Sequence, residues 1–145
     1  MRLHLRMPIF ALGMLCAASH QLAGAQPTEA AAVNPEAVHI VGVTLMPIDR
    51  KPYIAVITEN RSERPVWVYV SIEFNGPIRC GGGRSELGPK KTTWYGCPVE
   101  SVIARHEYPI RVEVYPDAET PESVGMREDK ARFSKRDVKW LESQL

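Results

Sequence analysis

The chain has 145 residues, of which 44% are hydrophobic and 24% charged, with a formal net charge of +1. These values fit one small globular domain, because a disordered chain is less apolar and more highly charged and two full domains need more residues. The near balance of charge removes any long-range attraction to nucleic acid or an anionic membrane. Three cysteines are too few for a disulfide-dense scaffold and lack the spacing of a zinc site.

Residues 1–25 read as a secretory signal peptide. Arg2 and Arg6 supply the positive start, residues 8–18 the apolar stretch, and Ala23-Gly24-Ala25 the small-x-small pattern before cleavage. The apolar stretch has 11 residues, whereas a spanning helix needs roughly 20, so no transmembrane anchor is expected in the mature chain. A lipid on Cys16 is disfavoured because the bulky Leu15 precedes it. Cleavage after Ala25 removes two arginines and Cys16, taking the net charge from +1 to −1. Cys80 and Cys97 then remain as an even pair in an exported chain, which reads as one disulfide. The expected setting is periplasmic or secreted.

Residues 26–37 are rich in small residues and proline and read as an N-terminal linker. Residues 38–46 (VHIVGVTLM) form the first strand candidate, apolar on both faces, with Val41, Val43 and Leu45 as the stronger inward set. Residues 53–59 (YIAVITE) form the second. A polar turn (NRSER) and Pro65 lead to residues 66–74 (VWVYVSIEF), whose pattern is the clearest in the chain. Val66, Val68, Val70, Ile72 and Phe74 share one face and Trp67, Tyr69, Ser71 and Glu73 the other. That alternation marks a half-buried antiparallel strand, since a helix would mix the two sets around its circumference.

Residues 75–91 read as a turn-rich excursion carrying Gly81-Gly82-Gly83, residues 92–95 as a short strand and residues 99–104 as a weaker one. Residues 108–115 alternate again, with Ile110, Val112 and Val114 inward. Residues 117–130 are charged and read as a solvated connection. The last segment reads as a helix, because Ser134 and Asp137 have capping-box spacing and Val138, Leu141 and Leu145 fall at helical intervals. A strand over residues 131–134 is the competing reading. Short strands separated by turn signals imply an all-β sandwich or barrel over residues 38–116, with residues 117–145 as a charged C-terminal extension.

Several of these features resemble the FxLyD-like group of bacterial Ig-like domains. The second strand carries Ile54, Thr58 and Asn60, the turn Ser62, and Pro65-Val66 opens the alternating strand that ends at Phe74. Leu87-Gly88-Pro89, Thr92 or Thr93, Trp94 and residues 108–114 continue the match, so it spans residues 53–115. The chain departs from the group in Cys80, the triple glycine, Cys97 and the C-terminal extension. The resemblance implies an Ig-like antiparallel β-sandwich and an exported interaction module, with no shared catalytic residues.

No catalytic set stands out. The mature chain has only His39 and His106, no G-x-S-x-G elbow, and neither histidine has a marked partner. The histidines and methionines lack ligand spacing, so neither metal nor cofactor is expected. The glycine run with Arg84 and Ser85 lacks the lysine and following helix of a phosphate loop, and reads as a turn. The candidate contact residues are aromatic: Trp67 and Tyr69 on the outer face of the third strand, and Trp94 and Tyr95 near the disulfide. Trp67 and Tyr69 either stand exposed as a contact surface or lie beneath the C-terminal segment with Trp140 and Leu141; the covering is slightly favoured, because exported monomers seldom leave such aromatics bare. The leading expectation is a non-catalytic module that binds a protein or cell-envelope partner and no nucleic acid. The rivals are an enzyme inhibitor that inserts the Cys80–Cys97 loop, with Arg84 and Ser85, into a cleft, and a hydrolase.

Overall fold

A computed structural model describes residues 32–145, so the expected signal peptide over residues 1–25 and residues 26–31 of the expected linker lie outside the described residues. Seven strands and one α-helix are seen among them: β1 (Val38–Ile48), β2 (Lys51–Asn60), β3 (Val66–Glu73), β4 (Pro77–Leu87), β5 (Thr92–Pro98), β6 (Tyr108–Tyr115), β7 (Gly125–Ala131) and α1 (Lys135–Glu142). They form two antiparallel sheets, ordered β1-β2-β5 and β4-β3-β6-β7. The chain passes from one sheet to the other after β2, after β4 and after β5, which makes an all-β sandwich of Ig-like topology. Tyr108, at the start of β6, adds the corner found in such folds: its hydroxyl accepts the Ile103 N–H at 2.8 Å.

The third strand lies as its alternation predicts. Val66, Val68, Val70 and Ile72 are buried, and Trp67, Tyr69 and Ser71 are only partly covered on the other side. In β2 the inward set is Ile54, Val56, Thr58 and Asn60, all fully buried. In β1 the expected inward set needs correction. Val41 is an extra residue, inserted where the register shifts between Ile40 and Gly42, and it is exposed. Inward facing therefore runs Val38 and Ile40 before the bulge and Val43 and Leu45 after it. A bulge flips the phase of every later side chain, so one unbroken alternation cannot describe this strand.

The β1–β2 hairpin closes on Asp49 and Arg50, both at positive φ (49° and 57°), as a two-residue turn that matches strand twist requires. Pro47 and Pro52 face each other next to it. That position alternates with the hydrogen-bonded pair at the turn, so neither proline costs a bond between these strands.

Asn60 is the polar keystone. Its side-chain amide nitrogen donates to the carbonyls of Arg64 (2.7 Å), Leu87 (3.1 Å) and Gly88 (3.2 Å), while Oδ1 accepts from the N–H and hydroxyl of Ser62. One buried side chain thus ties the β2–β3 turn to the end of β4.

The segments flanking the disulfide and the C-terminus differ from expectation. Residues 75–91 are mostly strand β4. Its Gly81, Gly82, Gly83 and Arg84 lie between partners of Val70 and Val68, four residues facing the single Tyr69. Gly81 and Gly82 have φ of 70° and 78°, conformations that favour glycine, so the run marks a large bulge rather than an open loop. Residues 99–104 are irregular, although Val99 and Val102 are buried. Residues 117–130 include β7, an edge strand whose charged residues hid it from pattern reading. The helix reading is the right one for the C-terminus: α1 starts at a capping box between Ser134 and Asp137 and buries Val138 and Leu141. Ahead of β1, a 3₁₀ turn at Pro35–Ala37 is docked rather than loose, with Glu36 bonded to Arg127 at 2.7 Å.

Cys80 in β4 and Cys97 in β5 form a disulfide that joins the two sheets along one edge of the sandwich. Both cysteines are fully buried, within a core that reaches Tyr108, Phe133 and Leu141.

Candidate interaction surface

The two outer faces of the sandwich differ in chemistry. On the four-stranded sheet, charged side chains surround the aromatics. Trp67 lies between Glu86 and Tyr115 in register and beside residues 117–120. Arg79 donates to the Tyr69 hydroxyl at 3.2 Å, with its guanidinium 5.4 Å from the ring centroid. Glu113 flanks the other side of Tyr69. The C-terminal segment does not cover this pair: α1 packs against β1 and its Trp140 stays exposed beside β1. The expected covering fails because β7 takes the chain to the far edge of the sheet before the helix begins.

Arg84 is committed within the fold. Its guanidinium stacks 3.5 Å from the Tyr115 ring centroid and donates to the carbonyls of Asp117, Ala118 and Thr120. Tyr115 donates to Glu113 at 2.8 Å, and burial followed by that carboxylate raises its pKa. Asp117 closes the adjoining turn. The Thr120 hydroxyl, then the N–H groups of Thr120 and Glu119, hold its carboxyl below the ordinary range. Ser85 is half-buried in β4 opposite Val68. The segment between the cysteines is therefore strand and bulge, with its arginine tied down, and not a protruding loop.

Tyr95 also needs correction as a contact residue. It points inward opposite Val56 and is buried, and its hydroxyl has no hydrogen-bond partner of ordinary geometry among the described residues. Burial raises its pKa, against a smaller opposing effect of the Thr58 hydroxyl. Trp94, one residue earlier, points the other way and is 51% exposed.

Trp94 belongs to a face that pattern reading missed. Outward on the three-stranded sheet, three cross-strand rows follow one another: Gly42, Ile57 and Trp94; Thr44, Ala55 and Gly96; Met46, Tyr53 and Pro98. None of these nine residues is charged, and Ala55 at their centre is fully covered by its neighbours. A side-chain carbon at Gly96 would meet the Tyr53 ring at 3.1 Å and the Trp94 ring at 3.3 Å, so the two aromatics converge over it. Beside the indole lies a cleft of about 180 Å³, bordered by Thr44, Met46, Ala55, Ile57, Thr92 and Thr93. The available signal was β2 itself, where Tyr53, Ala55 and Ile57 leave the outer side without charge until Glu59.

The histidines lie apart. His39 is on β1, and His106 packs edge-on against Phe74 and Tyr108. Among the described residues there is no cluster of three or more potential metal ligands, and no helix is long and apolar enough to cross a membrane.

Compared with known proteins, the chain matches no family model, and no curated protein or solved structure is significantly similar to it.

Proposed function

We propose that this protein is an exported, non-catalytic β-sandwich module that binds a protein or cell-envelope partner through the outer face of β1-β2-β5, with Trp94 as its anchor. The observation that carries this reading is the three uncharged cross-strand rows around a half-exposed tryptophan. Contact cores are poor in charge and rich in aromatics, and a contiguous apolar patch on a small domain commonly marks an interaction site. Trp67 and Tyr69 suit the role less well, because Arg79 engages Tyr69 and charged residues, Glu86 and Glu113 among them, stand beside the pair in register. The signal-like N-terminus and the disulfide support export to an oxidising compartment. Kinship with FxLyD-like modules fits the same role, with Asn60, Ser62 and the residues around Gly88 as shared scaffold.

The test is a crosslinking pull-down from envelope extract that compares the protein with Trp94→Glu and Trp67→Ala. Capture should be lost with Trp94→Glu and kept with Trp67→Ala. The reverse pattern would move the site to the four-stranded sheet.

A further inference from the structure

We infer that the free edge of β1 receives an extended segment of another polypeptide, which adds a fourth strand to β1-β2-β5 and brings a basic side chain to Asp129. The inference goes beyond the outer-face reading and concerns the edge of that sheet instead of its face.

β2 pairs with one side of β1, and no strand pairs with the other. Ile48 and Lys51 close the two-residue hairpin as a hydrogen-bonded pair, so by alternation Met46, Thr44 and Gly42 bond to β2. Val43 and Leu45 therefore turn their N–H and C=O groups to the open side, where they have no backbone partner among the described residues. Donors and acceptors that alternate at strand spacing are the complement of an extended peptide backbone. The open stretch is short. The bulge at Val41 ends it on one side and Pro47, which has no N–H, on the other, leaving room for about five residues.

The other edges of the sandwich suit an added strand less well. β4 and β5 are tied to each other by the Cys80–Cys97 bond. β7 carries charged residues without a break from Arg127 to Lys130. β1 has no Asp, Glu, Lys or Arg from Val38 to Ile48. Charge along an edge discourages strand pairing, and a long uncharged edge is a template for it.

A groove of about 490 Å³ runs along this open side, between residues 40–45 and residues 129–133, with Asp137 and Trp140 of α1 at its border. Its size is within the range of ligand sites. Asp129 is the register partner of the inward-facing Ile110, so it stands on the side of β7 that faces the gap. Its Oδ1 accepts the Lys130 N–H, and neither Asp129 nor Asp137 has an ion pair among the described residues. The Ser134 hydroxyl and N–H keep the Asp137 carboxyl ionised at neutral pH. The two cations that line the groove, Lys130 and Arg132, are both taken by Glu107, at 3.2 Å and 2.6 Å. The charge left without a counter-ion is negative, so the strand that complements this groove carries a lysine or arginine. The exposed indole of Trp140 offers an apolar neighbour to its other side chains.

Selection of a random heptapeptide library, displayed on phage, against the immobilised protein tests this. The expected result is enrichment of peptides that carry Lys or Arg among alternating apolar residues and lack proline. The enriched peptide, made synthetically, should shift the Val43 and Leu45 amide signals in a proton–nitrogen NMR spectrum. N-methylation of its alternate residues should abolish binding in one phase and spare it in the other, because only every second N–H of an added strand points at β1. Val43→Pro removes an N–H that β2 does not use, so this variant should keep its circular dichroism and lose the peptide. Asp129→Lys should weaken binding about tenfold, and Trp67→Ala should leave it unchanged. The methylation series carries the test by itself should Val43→Pro fail to fold. A selection with no enrichment overturns the inference. So does an enriched peptide without a cation, one that folded Val43→Pro binds as tightly as the parent protein, or one that tolerates methylation in both phases. Binding lost with Trp94→Glu and kept with Val43→Pro overturns it in favour of the outer face.

Discussion

Replacing Asn60 with alanine removes a buried side chain that satisfies groups on two separate segments. Its amide nitrogen supplies three carbonyls and its oxygen accepts two donors from Ser62. The bond to Leu87 is fully buried, while those to Arg64 and Gly88 are partly so. A buried polar group stranded without a partner costs about 1–3 kcal/mol, and one that water reaches costs less. The Leu87 carbonyl at full cost and the others at reduced cost give about 2–4 kcal/mol, a large part of the ~5–15 kcal/mol that holds a domain. Urea unfolding with an unchanged m-value measures the loss directly. Asn60→Asp sharpens the test. A carboxylate cannot donate to three carbonyls, and burial among them disfavours its charged form and raises its pKa. Its destabilisation should therefore exceed that of alanine at pH 7 and ease as pH falls through that raised value. A loss below about 1 kcal/mol for Asn60→Ala would falsify the claim that this residue joins the β2–β3 turn to the end of β4.

Other expectations follow from the same contacts. The Cys80–Cys97 bond closes a loop with a separation of 17 residues, and its loss should cost about 3 kcal/mol on the chain-entropy model; alkylation without reductant, even in denaturant, should label neither cysteine. Val70→Ala and Ile72→Ala each empty space in a filled core and should cost about 1–4 kcal/mol in denaturant midpoints, so a silent result for both would refute the register of β3. Ser134→Ala should cost about 1 kcal/mol by removing the cap of α1. The Ser134 hydroxyl and then its N–H hold the Asp137 carboxyl below the ordinary range. That stabilisation is present above the unfolded aspartate value of about 3.9 and is lost as pH falls through the lower folded one. A carboxyl titration by NMR should show Asp137 moving back up in Ser134→Ala. Gly125→Ala should loosen the docked N-terminal turn, because the added carbon would lie 2.6 Å from Pro35, and faster amide exchange at Ala37 and Val38 reports it.

What the sequence determined by itself are the features whose cause is local. The inward set of β3 is legible because side chains alternate with period two and one face meets the core. The start of α1 is legible because Ser134 and Asp137 satisfy each other's backbone within one turn. The cysteine pairing follows from an even count in a chain read as exported. The features that only the tertiary structure decided depend on which strand lies beside which. Val41 reads with the stronger inward set because a bulge leaves no mark in a run that is apolar on both faces, and its position depends on where β2 resumes pairing. β7 was invisible because an edge strand covers little core and can carry charge along its length. Tyr95 and Trp94 are neighbours in sequence, and their opposite fates depend on β5 pairing with β2 so that Val56 and Ile57 face opposite sides. The uncharged outer face is the sum of three strands, each contributing three residues, and no one of them is remarkable alone. Its composition is written in the chain, but its continuity exists only once hydrogen bonding has set β1, β2 and β5 side by side.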